Sequence, residues 1–396
     1  MRYATACSGL ESATLAWAPL GWQAVSFSEI DPFCCAVLAH HFPDVPNLGD
    51  LTQHHAWADH GSIDVLAAGT PCQSFSHAGD RAGMADPRGS LALAFLDLVA
   101  RKRPRWLVWE NVPGILSSNG GRDLGAFFRK LGELGYGFAW RCLDAQHFGL
   151  AQRRERLFVV GHLGAWQPAT AVLFERASLS GHPAPRRAAG QDATGSAPGS
   201  AAGRSVVGPL SASSGPRAHG FGDVLSAQAV AAGHILAFGG NNTAGPIDVA
   251  TACLTQVSSG YRHDFESETF IASQSAAQGL QVRRLTPTEW ERLQGLPDAF
   301  TLVPYRGRPA PDGPRYRAIG NAWPVPVARW IGERLQAVQA VLDAFGLDYK
   351  YFAEYSDPSE GVKTGGFPCE NELSEQVDRI SLVGQSTPVQ LRLADT

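Results

Sequence analysis

The 396-residue chain is 44% hydrophobic and 18% charged, enough apolar material for one large domain and a smaller one. No apolar run approaches the roughly 20 residues of a membrane span, and the first residues lack a secretory hydrophobic core, so a cytoplasmic protein is expected. Its seven cysteines (Cys7, Cys34, Cys35, Cys72, Cys142, Cys253, Cys369) are scattered and never spaced Cys-x-x-Cys, which argues against a disulfide framework and a structural zinc site.

The net charge of −4 is unevenly spread: from Asp343 onward ten acidic residues face four basic ones, leaving the remainder slightly basic. Arginines cluster at Arg101 to Arg105, Arg153 to Arg156, Arg283 and Arg284, and Arg306 to Arg317. Charge alone does not separate a solvated face from a phosphate-binding one.

Through residue 162 short apolar runs alternate with helix-like stretches, the pattern of a parallel sheet with crossover helices. Strands are expected at Arg2 to Ala6, Trp22 to Ser28, Ile63 to Ala68, Trp106 to Glu110 and Arg156 to Gly161, with helices starting near Leu10, Pro32, Ser90 and Arg122. Residues 165 to 245 are rich in Ala, Gly, Ser and Pro and read as loop-dominated. Regular structure resumes at Leu285-Thr286-Pro287, where Thr286 fits an N-cap, Pro287 the first helical position and Glu289 the far end of a capping box. A last helix is expected from Pro324 to about Ala344.

In an open α/β sheet, ligands bind beyond the carboxyl ends of the strands. Four runs here end in polar or glycine-rich residues: Ser8-Gly9-Leu10-Glu11, Ser28-Glu29-Ile30-Asp31, Gly69-Thr70-Pro71-Cys72-Gln73 and Glu110-Asn111-Val112. A glycine turn after the first strand paired with a carboxylate after the second suits a nucleoside-bearing cofactor, although Glu29 could equally cap the helix that Asp31-Pro32 opens. Cys72 follows Gly-Thr-Pro at a strand end and opens a Gly-rich and Ser-rich loop, unlike Cys34, Cys35 and Cys142, which sit inside apolar runs. A thiolate there could act as a nucleophile. Glu110 shares a strand face with Trp106 and Val108, apolar company that raises a carboxyl pKa and suits it to give up a proton.

Taken together, these residues resemble the cytosine-5 DNA methyltransferases. The resemblance comprises Ser8-Gly9-Leu10, Glu29, Asp50-Leu51, Pro71-Cys72-Gln73, Glu110-Asn111-Val112, Gln152 through Arg156, Arg284-Leu285-Thr286 through Gly295, and Gly320-Asn321-Ala322, in that order over about 1 to 162 and 283 to 342. It implies an α/β fold: a Rossmann-like class I methyltransferase sheet with helices on both faces, plus a smaller, irregular target-recognition domain. The implied division is 1–164 for catalysis and cofactor, 165–282 for target recognition, 283–342 for a segment that supports recognition and returns to the catalytic domain, and 343–396 for an acidic extension.

By the same resemblance S-adenosyl-L-methionine is the cofactor. Glu29 would hold its ribose and Asp50 its adenine amino group, with Ser8, Gly9, Leu10, Ile30, Leu51, Pro71, Leu91, Asn321 and Ala322 around it. Cys72 would attack carbon 6 of a flipped-out cytosine. Glu110, beside Asn111, would protonate the ring, and Arg154 and Arg156, positioned by Gln152, would pair with the base oxygen. Arg81 and Arg88 on the catalytic loop, and Arg262, would meet DNA. Duplex DNA is the implied partner of a monomer that uses no metal and no membrane and is cytoplasmic at the nucleoid; a cognate restriction endonuclease is a further implied partner. Two alternatives stay open: an RNA cytosine-5 methyltransferase on the same fold, and a catalytically silent DNA-binding protein. The chain departs from the family pattern where an acidic residue and Phe usually precede the cofactor turn and a Gly-Gly pair follows it; here stand Thr5, Cys7, Glu11 and Ser12.

Overall fold

A computed structural model of the protein describes residues 1–71, 90–174, 236–239, 250, 269–275, 279–344 and 346. In chain order these form β1 (Arg2–Ala6), α1 (Ser12–Trp17), β2 (Gln23–Ser26), α2 (Pro32–His41), β3 (Val65–Gly69), α3 (Ser90–Lys102), β4 (Trp106–Asn111), α4 (Arg122–Glu133), β5 (Tyr136–Asp144), β6 (Glu155–Leu163) and α5 (Gln167–Leu173). There follow β7 (Leu236–Gly239), β8 (Thr269–Ser275), β9 (Gly279–Arg284), α6 (Pro287–Gln294), β10 (Pro304–Tyr305), β11 (Arg308–Pro309), α7 (Asp312–Asn321) and α8 (Val325–Ala344).

The main sheet has the order β2-β1-β3-β4-β6-β5. Strands β1 to β4 pair in parallel, as the alternation of apolar runs and helices implies. Strand β6 differs: it runs antiparallel to both β4 and β5. The reason is local, because the segment from Ala145 to Arg154 closes on itself, Ala145 N donating to Arg154 O at 3.0 Å, and turns the chain straight back along β5. Strand β5, which lacks the clear apolar run of its neighbours, is absent from the sequence reading; it forms the sheet edge.

Period-two alternation sorts the strand side chains to two faces. Trp106 and Val108 join a core with Trp17, Val327, Ile331, Leu335 and Val338, where α1, α5 and α8 pack. Leu107 and Trp109 face the opposite core with Phe95, Leu98, Val99, Phe127 and Leu131, beneath α3 and α4. A third cluster joins Leu10, Phe33 and Val37 to Leu285, Trp290, Leu293 and Ile319, and so ties the first helices to α6 and α7. The helix entry at Thr286 is a full capping box: Glu289 N donates to Thr286 Oγ1 and Thr286 N to Glu289 Oε2.

Indole groups, as well as apolar area, hold helix α8 to α1, to the approach to β2 and to β4. Trp17 Nε1 donates to Ala328 O at 2.8 Å, Trp22 Nε1 to Gln336 Oε1 at 2.7 Å and Trp106 Nε1 to Gln339 Oε1 at 2.7 Å. The last helix therefore returns to the first strands. Beyond residue 174, β7, β8 and β9 form a separate antiparallel sheet; of these only β7 falls within residues 165 to 245, the stretch expected to be loop-dominated. Among the described residues no helix is long and apolar enough to cross a membrane.

Candidate active site

The carboxyl edge of the sheet gathers the strand-end residues singled out in the sequence. After β1 the chain turns through left-handed backbone at Cys7 (φ 51), Gly9 (φ 55) and Glu11 (φ 58). A Cβ at Gly9 would meet nothing within 4 Å, so this turn faces open space. Gly9 N donates to Glu29 Oε2 at 2.8 Å, while Ile30 N and Asp31 N donate to Glu29 Oε1 at 2.7 and 2.8 Å. Glu29 thus pins the two turns together. Capping of α2 falls to Asp31, which accepts from Phe33 N and Cys34 N.

Asp50 accepts from Thr52 N at 2.8 Å through Oδ1. The Cys7 thiol lies where the charges of Glu29 and Asp50 reach it; burial first, and then those charges, push its pKa up to about 12. Ile30 is 66% exposed and offers an apolar surface next to Glu29. Leu91 is partly buried against the α3 face, and Pro71 and Asn321 are exposed. Leu10, Leu51 and Ala322, expected around a cofactor, are instead buried in the apolar clusters and support the turns from behind.

The departures Thr5 and Glu11 turn out to be partners. Thr5 Oγ1 donates to Glu11 Oε1 at 2.5 Å, and Thr14 donates to Glu11 Oε2 through Oγ1 at 2.5 Å and N at 3.2 Å. While Glu11 is ionised and takes both hydroxyl protons, Tyr3 donates to Thr14 Oγ1 and Ser8 to Thr5 Oγ1, each at 2.7 Å. Ser28 N then donates to Ser8 Oγ at 3.0 Å, and Ser28 Oγ to Gly49 O at 2.7 Å. One directed hydrogen-bond chain therefore joins the segments that carry Gly9, Glu29 and Asp50. Burial raises the Glu11 pKa to about 7, against the pull of Thr14 and Thr5.

On the catalytic side, parallel register sets Glu110 beside Gly69, two residues before Pro71. Trp109 Nε1 donates to Thr70 Oγ1 at 2.9 Å and Asn111 Nδ2 to Thr70 O at 3.3 Å, fixing the end of β3 against β4. Glu110 is 8% exposed. Burial raises its pKa above the usual carboxylate value; Arg156, Arg154 and a hydrogen bond from Trp323 oppose that rise. Antiparallel pairing of Glu110 with Phe158 places Arg156 on the same face, and Arg156 Nε lies 3.2 Å from Glu110 Oε1.

Arg154 and Gln152 sit differently from the expectation that they face the base. Arg154 is 1% exposed, and its Nη2 donates to Gly320 O at 2.8 Å and Ala322 O at 2.9 Å. Gln152 is buried and donates to Leu293 O at 3.2 Å, which ties the segment before β6 to α6. Both lie too deep in the packing between sheet and α6–α7 to present their side chains to solvent. Cys72, Arg81, Arg88 and Arg262 lie outside the described residues. Among the described residues no group of three or more His, Cys, Asp or Glu side chains converges.

The sequence reading missed Trp323 and the role of Glu11. A threonine on each side of Glu11 was a usable local signal for the latter. Trp323 carried none, because its partners stand on β3 and β4.

A family model described as C-5 cytosine-specific DNA methylase matches residues 1–185 and 241–337. A protein of Escherichia phage P1 named DNA N-6-adenine-methyltransferase is 34% identical over 84% of this chain, which spans 61% of that protein's length. The Type II methyltransferase M.NlaX of Neisseria lactamica is 30% identical over 81% of this chain and 91% of its own. Among solved structures, a putative DNA modification methyltransferase of an E. coli prophage matches with TM-score 0.52 and 19% identity over 85% of this chain and 98% of its own. The DNMT2 of Spodoptera frugiperda matches with TM-score 0.53 and 16% identity over 85% and 99%, so both show the shared Rossmann-like methyltransferase fold. Over most of its length, from β1 to the helix that returns to the sheet, this chain belongs to the C-5 cytosine-specific DNA methylase family.

Proposed function

We propose that the protein methylates carbon 5 of a flipped-out cytosine in a specific duplex DNA sequence, with Cys72 as nucleophile. The observation that carries this reading is the buried carboxyl of Glu110, paired in register with Gly69 and touched by Arg156, at the strand end from which the chain enters Pro71-Cys72.

Carbon 5 of cytosine is a weak nucleophile. Addition of the Cys72 thiolate to carbon 6, with a proton passed from Glu110 to ring nitrogen 3, converts the ring into an enamine whose carbon 5 can attack. Acid assistance of this kind is typically worth about 10² to 10⁴ in rate. Removal of the carbon 5 proton by a base then lets Cys72 leave with its bonding pair, and nitrogen 3 returns its proton. Arg156 is the described arginine in contact with Glu110 and the one proposed to meet the base oxygen; Arg154 supports the site from inside. The target must leave the helix to reach such a site, at a cost of a few kcal/mol. Arg81, Arg88 and Arg262 are the proposed contacts to DNA that offset it.

The open turn at Gly9, the Glu29 and Asp50 carboxylates and the exposed Ile30 fit S-adenosyl-L-methionine. When bound, it supplies an electrophilic methyl group on a sulfonium. Glu29 would accept from the ribose hydroxyls, Asp50 from the adenine amino group, and Asn321 and Leu91 would border it. The division into a catalytic part (1–164), a recognition part (165–282), a returning segment (283–342) and an acidic extension (343–396) belongs to the same proposal, as do a monomeric state, a place at the nucleoid and a cognate restriction endonuclease.

The name of the phage P1 relative gives a second reading specific support: transfer to the exocyclic amine of adenine, whose lone pair attacks directly and needs neither thiol nor acid. Incubation with duplex DNA and with tRNA, followed by mass spectrometry of the nucleosides, separates the readings. We expect 5-methylcytosine in DNA, covalent trapping of 5-fluorocytosine DNA at Cys72, and complete loss of turnover with retained duplex binding in Cys72→Ser. N6-methyladenine as product, or trapping at another cysteine, would overturn the proposal. Bisulfite sequencing of DNA from an expressing host then reads the target sequence.

A further inference from the structure

Trp17, Trp22 and Trp106 give their indole N–H groups to α8, and Trp109 gives its own to Thr70. Trp323 is spent differently: its indole nitrogen stands with the carboxyl of Glu110 over Gly69, where the N–H favours the ionised acid. The indole is 9% exposed and packs edge-on against Phe158, with ring centroids 5.5 Å apart at 82°. Gly69 makes room for this contact, because a Cβ there would lie 2.8 Å from Trp323 Nε1 and 3.2 Å from Glu110 Oε2. Indole and carboxyl oxygen thus share one narrow space above β3, and a side chain at residue 69 would displace one of them. The backbone just before Trp323 is fixed too, since Arg154 Nη2 takes the carbonyls of Gly320 and Ala322.

We infer that Trp323 is a positioning residue for the acid: its N–H orients Oε2 of Glu110 while Arg156 engages Oε1, and Arg154 holds the segment that carries the indole. Two arginines of the Gln152–Arg156 segment then converge on one carboxyl, Arg156 directly and Arg154 through Trp323. The inference rests on the assignment of Glu110 as the acid. Among the described residues the charged groups facing Glu110 are Arg156 and Arg154. The indole adds a neutral donor that favours the ionised form without adding charge.

The test is the pH dependence of kcat on duplex DNA, with S-adenosylhomocysteine affinity measured by calorimetry beside it. Trp323→Phe keeps a ring and removes only the N–H. It is expected to lower kcat about tenfold or more and to move the limb governed by Glu110 about one pH unit upward, since loss of the donor weakens the acid. S-adenosylhomocysteine affinity should stay within about threefold. Gly69→Ala, which crowds the indole while leaving it intact, should move the same limb in the same direction and serves if the first variant fails to fold. Glu110→Gln separates the two levels: a variant that retains normal kcat removes the acid assignment and the inference with it. An inactive Glu110→Gln together with an unmoved limb in Trp323→Phe and Gly69→Ala overturns the role of Trp323 alone.

Discussion

Glu11 and Glu110 stand near the same edge of one sheet, 2% and 8% exposed, and burial pushes both carboxyls upward. Their partners differ in kind. Glu11 is held by neutral donors close in sequence, the hydroxyls of Thr5 and Thr14 and one amide. Glu110 faces a cation and an indole from distant segments, Arg156 and Trp323. Local neutral donors build a fixed scaffold under the turn at Gly9. The proposed exchange of a proton between Glu110 and a base needs opposing influences, and only distant segments bring a charge and a shaped pocket to the same atoms.

The sharpest way to break this contrast is Glu110→Gln. If Glu110 is the proton donor, kcat should fall by about 10² to 10⁴ with duplex and S-adenosylhomocysteine affinity little changed; a loss confined to binding would place Glu110 with the scaffold. Glu29→Gln tests the cofactor end. It replaces one acceptor oxygen by a donor where Gly9, Ile30 and Asp31 amides converge, and calorimetry should show S-adenosylhomocysteine affinity weakened roughly tenfold to a hundredfold.

Glu11→Gln asks whether the scaffold carboxyl titrates. Its native pKa of about 7 lies above the ordinary 4.5, so the folded state holds the proton more tightly than the unfolded chain. The associated stability is fully present below pH 4.5 and is lost as pH rises through about 7. Denaturant unfolding at pH 5 and pH 8 should therefore show the native protein losing roughly 2 to 3 kcal/mol relative to Glu11→Gln. Parallel pH curves for the two proteins would show that Glu11 stays ionised throughout. The smallest effect is expected from Thr14→Val, which removes hydroxyl bonds to Glu11 and Tyr3 and should lower stability by about 1 to 2 kcal/mol without moving the Glu110 limb of the kcat profile.

Much of the frame was legible before any coordinates. Strands β1 to β4 lie where apolar runs end in Gly, Asp or Glu, and Thr286-Pro287 with Glu289 announced a helix entry that closes as a full capping box. Strand β5 was missed because Tyr136–Asp144 alternates at an edge, with half-exposed residues in place of a continuous apolar run. The reversal of β6 was missed because a run such as Leu157–Val160 reads the same in either direction. In the site, Glu29 and Glu110 are legible from strand ends, whereas Arg156 enters only through the family resemblance, beside Arg154. Thr5 and Glu11 were noted only as separate departures from a pattern, and their 2.5 Å contact makes them one feature: an acid that has moved across a hydrogen bond.

By itself, the sequence determined the order of β1 to β4 with their helices, the polar strand ends and the resemblance to the family, because these depend on residue type, period and spacing along the chain. Tertiary structure decided which arginine touches Glu110, that Arg154 is turned inward to two carbonyls, and that Gly69 and Trp323 share one space. Such choices depend on distances across the sheet between residues far apart in the chain, where burial changes the strength of each charge and hydrogen bond, and no local pattern encodes them.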